Sequence, residues 1–461
     1  SKEITLETKT AISVYARDLI KIDVIVPPDK TRYVEGERID PTGMVIYAAY
    51  KSGLTREIPL ESIRYDNNGY LEAKREYDES TGEKKSYMLI SYTENGNTQT
   101  TEIGDLMVLK KKDANAEVNQ SRLSYECGIG QASVNVATGK ADFAMPVVSI
   151  GANDYGIEVV QVFRGSELNL PNTIKTYMAE GWKLNVQQYL YAKLDEYCYV
   201  DGQGLTHALE KLGDGRYYDP SGNGLVLTVG ETENILSDQY GNKMYFTDGV
   251  LTKEESCHNP SARKLYNYQN GKLISVYDDR MKNNKIEFIY NTNNLLSEIR
   301  CKQVGATSRK VYRYYYDAAG LLVRVEKSAG NNTKDVALFG YIRNSEFDNR
   351  LVYAIDAEDK SAVRFWYDEE EGEKPVLKVS TGFILRDFTA GTEISSFEEK
   401  SSNAFVYEKS TKNIFRTSVT NEKGLEVVYY LNDRGITTSI LEANNGDMND
   451  LRSLEKRAGV T

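Results

Sequence analysis

One short unit recurs through the second half of this chain of 461 residues and constrains its fold more than any other feature. In each copy an aromatic pair is followed by Asp or Asn, a turn, and an apolar segment of strand length. Asp, Asn and Gly tolerate a positive φ, so they can reverse the chain between two strands. A single hairpin is marginally stable, whereas stacked hairpins bury a continuous face. The pattern therefore predicts a β-hairpin array, with copies that start at Tyr266, Phe288, Tyr314, Phe365 and Val428.

The spacing of the tyrosines supports a repeat. Tyr268, Tyr290 and Tyr316 lie 22 and 26 residues apart along the chain. Each is expected to close a strand and to share one face with the apolar residues of the return strand. The pattern leaves the register of residues 341–407 unassigned. A lone copy at Tyr65–Leu71 is interpreted as a chance match.

Residues 21–109 show a different pattern, that of short strands separated by turns. Apolar residues alternate with polar ones from Ile20 to Val26, which indicates a half-buried strand. Asn95-Gly96 is a hairpin signal. About ninety residues of this kind predict a small β-sandwich. Its further predicted strands are Met44–Tyr50, Tyr87–Tyr92 and Leu106–Leu109.

The remaining segments complete a predicted domain order. Residues 1–20 are expected to be a lead-in strand, and the polar residues 110–122 a linker. Residues 123–446 are assigned to the hairpin sheet. Residues 447–461 are assigned to a short C-terminal helix, because residues 447–457 place acids first and bases last. The predicted fold class is thus all-β with one short helix.

The first domain resembles bacterial immunoglobulin-like domains, which serve as spacers and adhesive units in extracellular proteins. The resemblance rests on Val34–Glu37, Asp40–Met44 and Ala48–Gly53, in that order. Residues 59–86 depart from it and are expected to form an inserted hairpin or loop. The resemblance implies an immunoglobulin-like sandwich at residues 21–109.

The hairpin pattern resembles the YD repeats of the Rhs/teneurin group, and this resemblance covers residues 123–446. It extends upstream of the repeats into segments similar to the opening part of bacterial Rhs-type shells. It implies a bacterial extracellular or cell-surface location. In that group a toxin lies C-terminal to the shell and is released by a protease associated with the shell. The upstream segments are Ser133–Gly139, Val148–Gly151, Val159–Phe163, Gly181–Asn185, Gln187–Gln188 and Asp238–Phe246.

The charge balance narrows the range of partners. The chain holds 57 Lys and Arg against 68 Asp and Glu, a net charge of −11. This argues against nucleic acid, which needs a basic surface, and against anionic membranes. No apolar run approaches the ~18 residues of a membrane span. The expected partners are glycans, a cell-wall or host surface, and a continuation of the same polypeptide.

The residues that could support chemistry are few, and the sequence predicts no catalytic, cofactor or metal site. Cys127, Cys198, Cys257 and Cys301 are too far apart for zinc spacing, so free thiols or one incidental disulfide are expected. His207 and His258 lack a neighbouring metal or nucleophilic partner and are interpreted as exposed or satisfied.

Two acidic segments are also interpreted as structural. Asp219–Gly224 imitates the start of a calcium loop, but Gly230 stands where a bidentate carboxylate is required, so a plain turn is preferred over a weak calcium site. Asp368–Glu371 is interpreted as a solvated hairpin tip rather than a pair of catalytic carboxylates.

Three functions are compatible with these observations. The first is a non-enzymatic, extracellular structural or adhesive fragment of a larger YD-repeat protein. The alternative is the N-terminal shell portion of a polymorphic toxin that encapsulates and delivers a C-terminal effector. The third is a sugar-active enzyme, for which no acid–base pair stands out. Repeated tyrosine faces could stack on sugars, but packed repeat aromatics are preferred. We also expect an open sheet without an enclosed cavity, belonging to a longer protein.

Overall fold

The structure is almost entirely β. This computed structural model describes residues 18–34, 37–71, 85–109, 116–151, 156–165, 168, 170–193, 196–302, 305, 308–342, 350–368, 375–385, 396–410, 413–432 and 434–442. The predicted all-β class is confirmed. Within the described residues, no helix has the length and hydrophobicity needed to cross a membrane. The helix predicted at 447–457 lies outside these residues. Short 3-10 segments span Leu60–Ser62, Asp66–Gly69, Ala116–Asn119 and Asp279–Met281.

The first seven strands form two small sheets that enclose one hydrophobic core. One sheet has the order β1-β3-β4 and the other β2-β7-β6-β5, in which β2 and β7 run parallel. Asn95 and Gly96 link β6 to β7 with φ values of 51° and 80°, the positive values that a tight hairpin turn requires. The strands are β1 Leu19–Val26, β2 Arg32–Val34, β3 Val45–Tyr50, β4 Thr55–Glu57, β5 Arg64–Tyr65, β6 Lys85–Glu94 and β7 Asn97–Leu109.

The buried face of β1 differs from the predicted one. Leu19, which the sequence assigned to the lead-in, is buried with Ile22, whereas Ile20 is exposed. The pairing of β1 with β3 shifts register between Leu19 and Lys21, and again between Val24 and Val26. Each shift breaks the strict period of two, because an extra residue moves the following side chains to the other face.

The next five strands form a separate sheet of order β12-β11-β10-β9-β8. The sequence placed these residues in the same sheet as the hairpin array, and this was wrong. Among the described strands these five pair only with one another, so they form a second layer rather than the first turns of the array. We call this layer the inner sheet. Its strands are β8 Arg122–Cys127, β9 Gly130–Asn135, β10 Ala141–Ile150, β11 Ile157–Phe163 and β12 Trp182–Leu184.

All later strands join a single sheet of 22 strands, in which every strand pairs with its neighbours in sequence. We call β13–β20 the ring and β21–β34 the array. The ring strands are β13 Tyr189–Lys193, β14 Glu196–Val200, β15 Thr206–Gly213, β16 Arg216–Tyr218, β17 Val226–Thr228, β18 Asn234–Ser237, β19 Lys243–Thr247 and β20 Val250–Glu255. The array strands are β21 Arg263–Gln269, β22 Lys272–Asp278, β23 Lys285–Tyr290, β24 Leu296–Lys302, β25 Lys310–Tyr316, β26 Leu322–Ala329, β27 Asn332–Tyr341, β28 Leu351–Asp356, β29 Ser361–Tyr367, β30 Val376–Ile384, β31 Phe397–Ser410, β32 Asn413–Asn421, β33 Glu426–Leu431 and β34 Thr437–Glu442.

The ring closes on itself, so the expectation of a wholly open sheet was wrong. Tyr189 of β13 pairs with Val250 of β20. The Leu190 amide donates to the Gly249 carbonyl at 2.9 Å, and the Leu251 amide donates to the Gln188 carbonyl at 3.1 Å. A Cβ on Gly249 would lie 2.9 Å from the Leu190 carbonyl oxygen, so a glycine at this turn is what lets the two strands approach.

The large sheet forms a barrel-like shell, and the inner sheet packs against its concave face. Buried side chains of both sheets belong to one hydrophobic core. The rings of Phe143 in β10 and Phe339 in β27 meet edge to face at 6.0 Å. The Thr417 hydroxyl of β32 donates to the Val136 carbonyl at 2.6 Å. Packed side chains therefore fill this part of the shell.

Four turns of the described array have the same form. The Asp317 carboxylate accepts the amides of Ala319 and Leu321 at 2.9 and 3.0 Å, and Gly320 has a φ of 81°. The turn leaves these two amides without a backbone acceptor, and the carboxylate takes the place of that acceptor. Asp or Asn is favoured there because each has a short side chain with an oxygen that can accept both amides. Asn291, Asn421 and Asn432 accept the equivalent pairs of amides.

A tyrosine ladder links successive hairpins. In four of these hairpins, a tyrosine at the end of the first strand pairs with the first residue of the return strand, next to a register shift, as Tyr316 does with Leu322. Tyr407 instead pairs with Thr417, inside its return strand. The Tyr316 hydroxyl reaches back to the preceding hairpin and donates to the Leu296 carbonyl at 2.7 Å. The other donor–acceptor pairs, at 2.7 or 2.8 Å, are Tyr290 to Leu273, Tyr341 to Leu322, Tyr367 to Leu351 and Tyr407 to Val376.

The ladder supplies the register that the sequence pattern left unassigned. Tyr341, Tyr367 and Tyr407 all take part in it, although the intervening segments vary in length. The hairpin ends therefore stay aligned while the chain between them changes.

Removing one ladder tyrosine should cost far more than removing the turn residue beside it. We expect Tyr316→Ala to lower the free energy of unfolding by about 3–5 kcal/mol, because it deletes a buried ring. Tyr316→Phe keeps the ring and loses one hydrogen bond, so it should cost about 1 kcal/mol. Asp317→Ala should also cost about 1 kcal/mol. Urea unfolding midpoints test the series, and an Asp317 variant less stable than Tyr316→Ala would contradict it.

The sandwich should fold without the shell. Its buried residues form a cluster separate from the core that the inner sheet shares with the array. We expect a fragment of residues 18–112 to unfold cooperatively on heating, as followed by circular dichroism. A fragment that melts without a transition would mean that the sandwich depends on the shell.

Candidate functional site

A buried ionic cluster lies where the inner sheet meets the ring. His207 of β15 lies between two carboxylates, with Nδ1 3.0 Å from Asp219 Oδ2 and Nε2 3.2 Å from Asp201 Oδ2. Asp219 follows β16, and Asp201 begins the turn between β14 and β15. His207 and Asp219 are almost inaccessible to solvent. The structure thus brings together two residues that the sequence considered separately, and adds Asp201.

The two carboxylates hold His207 in its charged form. Burial alone would lower the pKa of His207, but the hydrogen bonds and negative charges of Asp201 and Asp219 outweigh burial and raise that pKa to about 9. Burial raises the pKa of Asp219, whereas donors from His207, Ser221 and Asn223 bring it down to about 2. The cluster is therefore an imidazolium shared by two carboxylates.

A buried lysine extends the cluster into the inner sheet. Lys183 of β12 has no exposed surface, and its ammonium donates to the carbonyls of Asp201 and Gly202 at 2.8 and 3.0 Å. Burial lowers the pKa of Lys183 to about 7, against the opposing charge of Asp201. The turn that positions Asp201 for His207 is thus fixed from its other side by a strand of the inner sheet.

An ion pair within the inner sheet lies beside this lysine. Arg164 Nη1 is 2.7 Å from Asp142 Oδ2, and Arg122 Nε is 3.1 Å from the same oxygen. A Cβ on Gly204 would lie 3.0 Å from Arg164 Cγ and 3.3 Å from Lys183 Cδ. The turn between β14 and β15, which contains Gly204, therefore fits tightly against the side chains of Arg164 and Lys183. The cluster as a whole joins the two sheets by charge and by close packing.

The arrangement suits a structural role better than catalysis. A nucleophilic hydroxyl would need a hydrogen bond to the histidine, but the Ser221 hydroxyl donates to Asp219 instead. Both His207 nitrogens are occupied by carboxylates, which leaves neither for a substrate. Asp219 uses both of its oxygens within the protein. Among the described residues, no group of three His, Cys, Asp or Glu side chains is arranged to hold a metal ion.

The other candidate residues lie apart from this cluster. His258 is exposed and lines an open cleft of about 560 Å³ with Glu254 and Asp278. All four cysteines are free thiols. Burial raises the pKa of Cys127 to about 11, which makes its thiolate scarce at neutral pH. The Asp368 amide donates to the Pro375 carbonyl, while residues 369–371 lie outside the described residues.

The ladder tyrosines are not placed to stack on sugars. Their rings lie on the inner face of the array, packed against the core, and their hydroxyls are bonded to backbone carbonyls. A second cleft, of about 700 Å³, opens beside Tyr177, Lys272 and Asn294. Two of its polar groups are paired, because the Lys272 ammonium donates to Asn294 Oδ1 at 2.6 Å.

The ionic cluster was missed because sequence spacing hides it. Asp201 precedes His207 by six residues and Asp219 follows it by twelve, which matches no metal or catalytic motif. One signal could have located Asp201. Asp201-Gly-Gln-Gly-Leu205 has the same form as Asp317-Ala-Ala-Gly-Leu321, and its carboxylate likewise accepts two turn amides, those of Gln203 and Leu205.

Comparison with known proteins gives a relative in sequence and distant likenesses in structure. No family model matches the chain. Over 229 residues, 49% of the chain, it is 26% identical to the tRNA3(Ser)-specific nuclease WapA of Bacillus spizizenii, and the match covers 9% of that protein.

Two of the structural likenesses are to toxin complexes. A crystal structure of TcdB2-TccC3 without its hypervariable C-terminal region covers 89% of this chain and 28% of its own, with 9% identity and a TM-score of 0.15. The Tc holotoxin pore of Photorhabdus luminescens covers 88% of this chain and 27% of its own, with 10% identity and a TM-score of 0.15. The chain thus spans a small part of each of these proteins.

Replacing His207 should destabilise the protein in a pH-dependent way. The pKa of His207 rises from 6.5 to about 9 on folding, so its charged form stabilises the protein fully below pH 6.5 and loses this effect as pH rises through 9. We expect His207→Gln to cost about 3–5 kcal/mol at pH 6, because it leaves buried carboxylates unpaired. The cost should shrink by about 2–3 kcal/mol at pH 9.5.

Urea unfolding of both proteins across this pH range measures the difference. Burial lowers the pKa of Lys183, so this residue gives both proteins a pH dependence of opposite sign to that of His207. Its contribution largely cancels when the stabilities of the two proteins are subtracted. The matched control is His258→Gln, the same substitution at an exposed site outside the cluster. A cost for His207→Gln that is constant from pH 6 to 9.5 would show that His207 is neutral in the folded protein.

Chelation should leave stability unchanged. Since the carboxylates of the cluster are satisfied by protein donors, we expect EDTA to leave the melting temperature where it was. A fall of more than ~5 °C would indicate a structural ion worth on the order of 1 kcal/mol or more. The interpretation of Asp219–Gly224 as a bare turn would then be wrong.

Proposed function

We propose that this chain is a non-enzymatic part of the shell of a secreted bacterial toxin, whose effector lies elsewhere in the same polypeptide. The observation that carries the proposal is the 26% identity to the nuclease WapA over half of this chain. Because the match covers 9% of that much longer protein, this chain can share its scaffold without sharing its nuclease.

The contacts of the described residues support a scaffold rather than an enzyme. Tyrosine hydroxyls fasten five hairpins of the array to the hairpins before them, and the inner sheet occupies the concave face. The one buried histidine is held by two carboxylates and has no free nitrogen for a substrate. Such an assembly resists deformation, which suits a protective shell.

An adhesive role is a weaker proposal for this chain. The sequence offered the repeated tyrosine faces as surfaces that could stack on sugars, and those rings are packed against the core. Binding of this chain to immobilised glycans would favour adhesion and would count against the toxin-shell proposal.

The purified chain should not cleave tRNA. We expect total bacterial tRNA to stay intact after incubation with the chain, with or without Mg²⁺, on a denaturing gel that resolves fragments made by an added ribonuclease. The flanking coding sequence should encode further hairpin units followed by an effector. Cleavage by the chain itself, or a wall-anchor signal directly downstream, would overturn the proposal.

A further inference from the structure

The last described strand of the array has an unpaired edge. β34 pairs with β33 along one side, and no described strand pairs with its other side. Exposed edges are usually protected by Lys, Pro or inward-pointing charge. Thr437–Glu442 reads Thr-Thr-Ser-Ile-Leu-Glu, with a single charge at its end and no Pro or Lys. The edge is therefore open to another strand.

The inner face of β34 carries an apolar side chain that its neighbours do not cover. Ile440 pairs with Tyr429, whose ring belongs to the shell core, so Ile440 lies on the inner face. It is 55% exposed. The residues at the same place in earlier return strands are all 0% exposed; they are Val276, Ile299, Val325, Ala354 and Val379. Ile440 thus occupies a position that the array elsewhere buries completely.

The backbone of β34 repeats the acceptor of the ladder. Thr437 pairs with Leu431 across the register shift, as Leu322 pairs with Tyr316 in an earlier hairpin. In that earlier hairpin the Leu322 carbonyl accepts the hydroxyl of the next tyrosine, Tyr341, at 2.8 Å. The Thr437 carbonyl has the corresponding place in β34.

We propose that β34 is a docking edge for an antiparallel strand of one further hairpin of the same polypeptide, with a tyrosine that donates to the Thr437 carbonyl and an inner face that covers Ile440. This rests on the proposed shell function, since it extends the same sheet. The specificity comes from three features together: an edge without charge protection, an uncovered apolar side chain, and a ladder acceptor in register.

A peptide copied from the array itself can test this edge in the intact chain. The probe is a fluorescent peptide of residues 310–329, which contains β25, its turn and β26. We expect saturable binding by fluorescence anisotropy. Hydrogen exchange should show residues 437–442 exchanging rapidly in the free chain and slowly once the peptide is bound.

Matched variants distinguish binding through the proposed contacts from nonspecific binding of the peptide. Ile440→Lys places a charge on the inner face and should weaken binding at least tenfold. Ser439→Lys places the same charge on the opposite face of the same strand and should change binding less than about twofold. In the peptide, Tyr316→Phe removes only the hydroxyl and should weaken binding about fivefold. Melting temperatures of both chain variants confirm that they fold.

Several results would overturn the proposal. These are no binding, binding that leaves residues 437–442 unprotected, or equal effects of Ile440→Lys and Ser439→Lys. Slow exchange of residues 437–442 in the free chain would mean that the edge is already covered. Light scattering would then distinguish a second copy of the chain from its own C-terminal residues. Neither result bears on the tRNA assay, so failure of the docking edge and failure of the proposed function remain distinguishable.

Discussion

The hydrogen bond from a tyrosine hydroxyl to the carbonyl at the start of the preceding return strand is the contact on which the shell depends. Backbone pairing joins neighbouring strands but tolerates a slip of register, since strands of similar pattern can pair in more than one way. A buried hydroxyl that reaches one particular carbonyl removes this freedom, because a slipped hairpin would leave the hydroxyl unpaired in the core. The aromatic side chain of the same tyrosine also fills the space beside the register shift, as Tyr290 does. In five hairpins of the array, one tyrosine thus provides packing and alignment together.

The ring and the inner sheet are joined differently, by buried charge. Taking His207, Lys183 and their partners out of water is costly, and a hydrophobic replacement could pack as stably. Charged groups nevertheless accept only one arrangement, since each must meet its counterpart at hydrogen-bond distance. An apolar contact between the same surfaces could slide. The inner sheet also meets the ladder directly, because the Trp182 indole donates to the Tyr341 hydroxyl at 2.9 Å. The inner sheet is therefore held to the ring through the ionic cluster and to the array through the tyrosine ladder.

Local patterns predicted the parts of this fold that depend on local physics. The Asp or Asn turns, the aromatic strand ends and the Asn95-Gly96 hairpin could be recognised because each needs a particular residue at a fixed offset. The separation of the inner sheet could not, since its strands have the same alternation as strands of a continuous sheet. Closure of the ring depends on a glycine that meets a strand about sixty residues earlier in the chain. The ionic cluster likewise unites distant residues, and nothing in the sequence near His207 marks it as buried.

The filled interior constrains how such a shell could carry cargo. If the inner sheet occupies the concave side of the ring and of much of the array, a cargo needs space beyond these strands. More hairpins of the same kind can create that space, because each adds width to the sheet without requiring another inner strand. The segment that leads into the inner sheet reaches the end of the described array, where the Gln120 side-chain amide donates to the Arg434 carbonyl at 2.9 Å. Beyond this contact Ile440 faces inward without cover. Among the described residues, the position where inner packing stops is thus also the position of the unpaired edge of β34.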